Sequence, residues 1–221
     1  MRPLAVVGVL ILFALPIPLS SQTSTPKQER LVFQNDFVKV YEVSIAPGEK
    51  LPPHESGNRM IYSLTSYTLR YVWGDRSTLE RRSTGDIHFH PAGVHAEENA
   101  GPTKVSFLII ERSATPLPAT EVTGNDMARV SPFNTSVVFD REMAKVFEVK
   151  LGPRDAVGMH LGLHRLVYGL TDYDLKITTP DGKEARERGK KGSCRWHSAG
   201  LHQVENNTAN PARILVFAFK R

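Results

Sequence analysis

One cysteine, Cys194, is all that the sequence offers for cross-linking, so no internal disulfide can form and stability has to come from packing. Amphipathic helix signal is lacking too: no window carries an apolar stripe at helical spacing. Apolar runs are short, the longest being Leu4 to Leu15, below the ~20 residues of a spanning helix. Negative charge is in deficit, with a net charge of +5. Much of that excess sits in one segment, Gly182 to Gly192, which follows the turn signal Pro180-Asp181-Gly182 and has no interleaved aromatics. It reads as a solvated hairpin rather than a nucleic-acid surface.

What is present divides the chain. Arg2, the apolar run to Leu15, Pro16, Pro18 and the small pair Ser20-Ser21 have the layout of a secretory signal peptide, so residues 1–22 are set outside the fold and a periplasmic or secreted location is expected. No other membrane association is indicated. A polar leader, residues 23–30, follows. The remainder, with 40% hydrophobic and 23% charged residues across the whole chain, has the composition of an ordinary globular protein.

Two stretches echo each other: Gly85 to Asn99 and Gly192 to Asn206. The likeness extends upstream at a constant shift, from Val32/Val138 through His54/His160, Arg59/Arg165 and Tyr62/Tyr168 to Leu69/Leu175. One inserted residue then moves the register so that His90 meets His197, His95 meets His202 and Asn99 meets Asn206. A register held this long is an internal repeat. It places one unit at 31–112, a linker rich in Pro, Thr, Ser and Asn at 113–136, and a second unit at 137–221. Cys194 aligns with Ile87, the position of a small buried hydrophobe.

Within the first unit, Tyr41, Val43 and Ile45 alternate with Glu42 and Ser44, and short runs of the same kind follow at 59–65, 67–73, 78–83, 87–90 and 105–111 between Gly and Pro breakers. Many short, evenly spaced strands mean an all-β sandwich or barrel, here two in tandem.

Pro47-Gly48 followed by His54, then Gly85-x5-Pro91-x-Gly93-x-His95-x3-Asn99, resembles the two motifs of the cupin superfamily, most closely its small exported members. The second unit keeps His160, His202 and Asn206 but has Arg154 for Gly48 and Ser198 for Pro91. The resemblance implies a bicupin of two jelly-roll barrels. It also implies a histidine–carboxylate metal site, from which this chain departs. The second histidine position of the first unit is Ser56, and no glutamate follows among Asn58, Arg59, Met60 and Ile61. His54 and His95 alone make a poor divalent site, so the first barrel is expected to lack tight metal.

In the second unit His160 and His164 are four apart. Such residues share a strand face, so His160, His164 and His202 are the expected ligands of a divalent transition metal: zinc, iron, nickel, copper or manganese. Arg59 and Arg165 are candidates to hold a carboxylate or phosphate, against the alternative of pairing with Glu98 and Glu205. His54, Arg59, His95 and Arg165 form the candidate ligand site. If Ile87, Phe89, Cys194 and Trp196 fill the barrels, His88, His90, Arg195 and His197 lie outside them. Three functions fit: a binder of a small, anionic organic ligand, a metal-dependent oxygenase or isomerase, and a protein acting through its surface. A homodimer is compatible with each.

Overall fold

The computed structural model describes residues 29–220. The expected export segment, and the leader up to residue 28, lie outside the described residues. The first unit is built of β1 (Glu29–Gln34), β2 (Val38–Ile45), β3 (Lys50–Ser56), β4 (Arg59–Ser63), β5 (Tyr67–Trp73), β6 (Arg76–Arg82), β7 (Ile87–His90), β8 (Gly93–Asn99) and β9 (Val105–Arg112). After a single-turn helix α1 (Met127–Val130), the second unit repeats the series. Its strands are β10 (Thr135–Asp140), β11 (Ala144–Leu151), β12 (Ala156–Gly162), β13 (Arg165–Gly169), β14 (Tyr173–Thr178), β15 (Glu184–Gly189), β16 (Cys194–His197), β17 (Gly200–Asn206) and β18 (Ala212–Phe219). The helix, absent from the sequence expectation, is capped by Asp126, whose side chain accepts from the Arg129 amide at 3.0 Å.

Each unit is two sheets packed face to face, β1-β2-β9-β4-β7 on β3-β8-β5-β6, and β10-β11-β18-β13-β16 on β12-β17-β14-β15. Every pairing is antiparallel and the irregularities repeat. The first ladder slips between Leu31 and Phe33, its counterpart between Val137 and Phe139. The β3–β8 ladder slips between Leu51 and His54, the β12–β17 ladder between Val157 and His160. The repeat in sequence is thus a repeat in register, down to the bulges. Asn99 and Asn206 close equivalent corners, each donating from its side-chain amide to backbone carbonyls, Ile45 and Thr103 in one case, Leu151 and Asn210 in the other.

The central strands of the two five-stranded sheets are buried on both faces. Inward, Val43, Ile45, Ile61, Phe107 and Ile109 meet Tyr67, Leu69 and Tyr71 of the opposing sheet. Outward, Val38, Val40, Met60, Leu108 and Ile110 pack against Val146, Leu166, Leu215 and Phe217 of the second unit in one continuous core. A sheet covered twice needs apolar side chains at successive positions, and β4 and β13 are accordingly buried at all five residues. At about 1.5–3 kcal/mol for each large apolar side chain buried, this shared core joins the barrels strongly.

That double burial reverses the expected placement of the β7 and β16 side chains. Ile87, Cys194 and Trp196 pack on the inter-barrel core, with Trp196 stacked on Phe37 and Phe219, and Phe89 is largely exposed. His90 instead turns inward beside Arg59, its partner across the ladder, and His197 lines the interior of the second barrel. His88, opposite Ile61, shares the inner face, while Arg195 stays at the surface. Burial holds the Cys194 thiol up at about 12, consistent with a packing role.

Candidate metal centre

In the first barrel, His54 on β3 and His95 on β8 are direct cross-strand partners with ring centroids 4.7 Å apart. The slip just before His54 is of the kind that re-aims a side chain. Glu97, two residues beyond His95, lies on the same strand face. One ligand atom from each of His54, His95 and Glu97 lies within 4.8 Å of the others, the group of potential metal ligands found among the described residues. His95 and Glu97 are 1% and 3% exposed, whereas His54 is only half-buried. Nδ1 of His54 lies 3.0 Å from the Pro52 carbonyl, which takes the ring proton and leaves the Nε2 lone pair for a cation.

Arg59 enters from β4, 4% exposed. Its Nη2 is 3.1 Å from His95 Nε2 and 3.6 Å from Glu97 Oε1, while His95 Nε2 is itself 3.1 Å from Glu97 Oε1. The imidazole nitrogen therefore stands between a donor and an acceptor, and a neutral ring can satisfy only one of them. A buried carboxylate needs a nearby cation, and Arg59 is the one the fold provides. Glu98 faces outward to Lys50 and Arg70, so the expected Arg59–Glu98 pair does not form. Tyr71, Trp73 and His90 complete the wall, with His90 4.8 Å and Tyr71 5.8 Å from His95 by ring centroid. Burial, then the neighbouring Arg59 guanidinium, lowers the His90 pKa.

The second barrel repeats the frame with a different charge pattern. His160 and His202 pair across β12 and β17, ring centroids 4.3 Å apart. Arg165 Nη2 donates to His202 Nε2 at 3.0 Å, and its Nη1 reaches the carbonyls of Leu163 and Ser198. Both histidines hold Nδ1 against a backbone carbonyl, of Gly158 and Gly200 respectively, and His160 Nε2 is buried with no partner. Gly162 makes this possible: a Cβ there would stand 2.5 Å from Arg165 Nη1 and 2.6 Å from the His202 ring. The place of Glu97 is taken by Val204, so no carboxylate joins the pair. The acid that lines the cavity is Glu187, bonded to Tyr173 and His197, and Glu205 goes to Lys176 instead of Arg165. Burial lowers Arg165 to about 10 despite Glu187, and burial with the Arg165 charge lowers His202 to about 3. The cavity between them is about 30 Å³, room for a water or two rather than an organic acid.

His164, expected as the third imidazole, is not part of this cavity's lining. Its ring stacks on Trp196 with centroids 6.4 Å apart, and Nδ1 accepts from the Ala199 amide at 3.4 Å. In the first unit the Asn58 side chain accepts from the Ala92 amide at the same place, at 2.9 Å. His164 therefore latches a loop. The structure gathers His54, Arg59 and His95 in one barrel and His160, Arg165 and His202 in the other, and the residue that completes a three-ligand group is Glu97, in the first barrel and not the second. A His-x-Glu spacing on one strand was the available signal, since such residues share a face.

No protein-family model matches the sequence, and no curated protein matches it. Solved structures do. The structure of AerE from Microcystis aeruginosa superposes with a TM-score of 0.60 at 16% identity, over 87% of this chain and 97% of that one. A variant oxalate decarboxylase of Bacillus subtilis gives 0.62 at 14% identity, over 87% and 72%. Another structure of that decarboxylase, described by its Mn(II) centres, gives 0.56 at 14% identity, over 84% and 69%. Likeness at these identities bears on architecture alone, and it agrees with the sheets described above: the chain folds as two tandem jelly-roll barrels of the cupin fold.

Proposed function

We propose that the first barrel is the working one: a divalent transition metal held by His54, His95 and Glu97, with Arg59 beside it to receive a small organic anion. The observation that carries this reading is the convergence of those three ligand atoms within 4.8 Å. Two imidazoles and one carboxylate are a common donor set for zinc, iron, manganese, nickel and copper, and three protein ligands leave a coordination position open. Manganese has added support from the Mn(II) centres of the structurally similar decarboxylase. A bound metal would supply Lewis-acid polarisation or redox chemistry.

The chain's own residues do the rest. Glu97 balances the charge of the metal and of Arg59. Were His95 and Glu97 to hold a metal, the Arg59 guanidinium beside them would offer its planar fork to a carboxylate. Tyr71 and Trp73 lay aromatic faces against His95 on one side of the site. The second barrel, with Val204 and a small cavity, keeps the frame without the metal. An exported location, periplasmic or secreted, is part of this reading and rests on the layout of residues 1–22; the N-terminal sequence of the secreted or periplasmic chain tests it.

A second reading is favoured by the Arg59 Nη2 to His95 Nε2 distance of 3.1 Å: the guanidinium is itself the cation of the site, and the barrel binds an anion without metal. Metal analysis of the purified chain, followed by titration with small carboxylates, separates the two. Stoichiometric metal that is lost in Glu97→Gln supports the first reading. Metal-free protein that still binds carboxylates in an Arg59-dependent way supports the second, and neither metal nor anion binding refutes both.

A further inference from the structure

Between the barrels, at one end of the shared core, lies a cleft of about 550 Å³, within the usual range for a small-molecule site. It belongs to neither barrel interior. Its lining comes in repeat-equivalent pairs: Tyr62 with Tyr168, Leu64 with Leu170, Thr84 with Lys191, and Ser106 with Arg213. The cleft therefore lies where the two units present equivalent positions to each other, and at two of these pairs, Tyr62 with Tyr168 and Leu64 with Leu170, the side chains are the same.

The two tyrosines are the unusual members. Each is 4% exposed, lines the cleft, and has no hydrogen bond to its hydroxyl among the described residues. The Tyr168 hydroxyl lies by Gly192, also in the lining, and the Tyr62 hydroxyl by Gly85, 3.8 and 3.9 Å from where a Cβ would stand. Neither hydroxyl is among the buried polar atoms sealed off from a partner, so each O–H reaches the cleft and can donate to an acceptor bound there. Burial raises both phenols above their ordinary range, so they remain protonated donors at neutral pH.

Charge in the lining is asymmetric. The second unit supplies Lys191 and Arg213 where the first has Thr84 and Ser106, and Arg30 adds a third cation against one acid, Glu42. Arg30 is paired with Glu42 and Arg213 with Glu148, whereas Lys191 has no ion pair among the described residues. Two paired phenol donors and an unpaired ammonium call for an anionic head, and Leu64 and Leu170 call for an apolar body.

We infer that this inter-barrel cleft binds a small organic carboxylate with an apolar body, its head on the Tyr62 and Tyr168 hydroxyls near Lys191 and its body between Leu64 and Leu170. The site is independent of the metal centre.

Calorimetric titration with hexanoate and benzoate tests it, with hexylammonium as the charge-reversed control. Tyr62→Phe/Tyr168→Phe removes only two unbonded hydroxyls and leaves the rings in the core, so folding is expected to survive; thermal melting of the variant checks this. At least one carboxylate should bind, at least tenfold more weakly to the double variant and to Lys191→Glu, while hexylammonium binds to neither wild type nor double variant. Glu97→Gln should leave the cleft affinity unchanged, whether or not the first barrel holds metal. Neither carboxylate binding at millimolar concentration, equal affinity in the tyrosine and lysine variants, equal binding of hexylammonium, or loss of carboxylate binding in Glu97→Gln alone would overturn the inference.

Discussion

Glu97 and Val204 occupy the same place in the two units, each two residues beyond a buried histidine that faces its cross-strand partner, His95 opposite His54 and His202 opposite His160. That single difference separates a three-ligand group from a two-ligand one. In metal-loaded protein, Glu97→Gln should lower affinity for zinc or manganese by at least about tenfold, whereas Val204→Ala should leave it unchanged. Elemental analysis after dialysis against a weak chelator reads both. Equal loss in the two variants would place the metal elsewhere.

His164→Asn should leave metal content unchanged and cost less than about 1 kcal/mol of stability, because Asn58 performs the same latch on Ala92 in the first unit. His164→Ala, which leaves the Ala199 amide without its acceptor, should cost more. Denaturant midpoints of the pair make the comparison.

Stability should fall in mild acid. The imidazoles of His88 and His202 are held down at about 4 and about 3, chiefly by burial. Both pKa values lie below that of an unfolded histidine, near 6.5, so the unfolded chain binds more protons between those values and pH 6.5. Stability is then full above about pH 6.5 and declines as the pH drops through this window. His88 makes no hydrogen bond through either ring nitrogen, so His88→Leu should flatten the decline between pH 6.5 and 4 while leaving stability at pH 8 unchanged or higher. An unaltered pH profile would contradict the assignment.

Gly48 and its equivalent Arg154 both adopt the left-handed backbone, with φ of 74° and 66°. Side-chain-bearing residues are strained there by about 1 kcal/mol. A Cβ at Gly48 would meet nothing within 4 Å, so φ alone sets the cost. Gly48→Ala should destabilise by about 1 kcal/mol. Arg154→Gly should be neutral to stabilising, since the bond of Arg154 to Asn207 is long and exposed. Thermal melting of the two variants should shift in opposite directions or, for Arg154→Gly, not fall.

Phe217 is fully buried in the core shared by both units. Phe217→Ala should cost about 3–5 kcal/mol. Because that core spans the joint, the wild type should unfold in one transition, and two resolved transitions in calorimetry would show that the barrels are independent.

The repeat and the strand character were legible in the chain, because a strand's side chains alternate with period two and a duplicated register carries its glycines and histidines with it; the cross-strand pairing of His54 with His95 and of His160 with His202 came from the ladders. Glu97 follows from the same alternation, being two residues beyond His95 and so on its strand face, although it stands far in the chain from the His54 motif where the resemblance places a carboxylate. The fate of His164 was not legible. Four residues along an uninterrupted strand would face the same way, but β12 ends at Gly162 and β13 begins at Arg165, so His164 lies in the turn and latches Ala199.

Which face of β7 and β16 is interior is likewise invisible locally, since alternation gives two faces without saying which is wet, and here both are partly covered: one turns His90 and His197 to the barrel interior, the other turns Ile87, Cys194 and Trp196 to the opposite barrel. The sequence by itself determined two all-β units in one register, with a histidine at equivalent places in each. Only the tertiary structure decided that Arg59 is buried against His95 and Glu97, that Ile87 and Trp196 serve the joint, and that Tyr62 and Tyr168 meet at a cleft. Each of these depends on contacts between strands distant in the chain, and side-chain charge and apolarity constrain burial without choosing the partner.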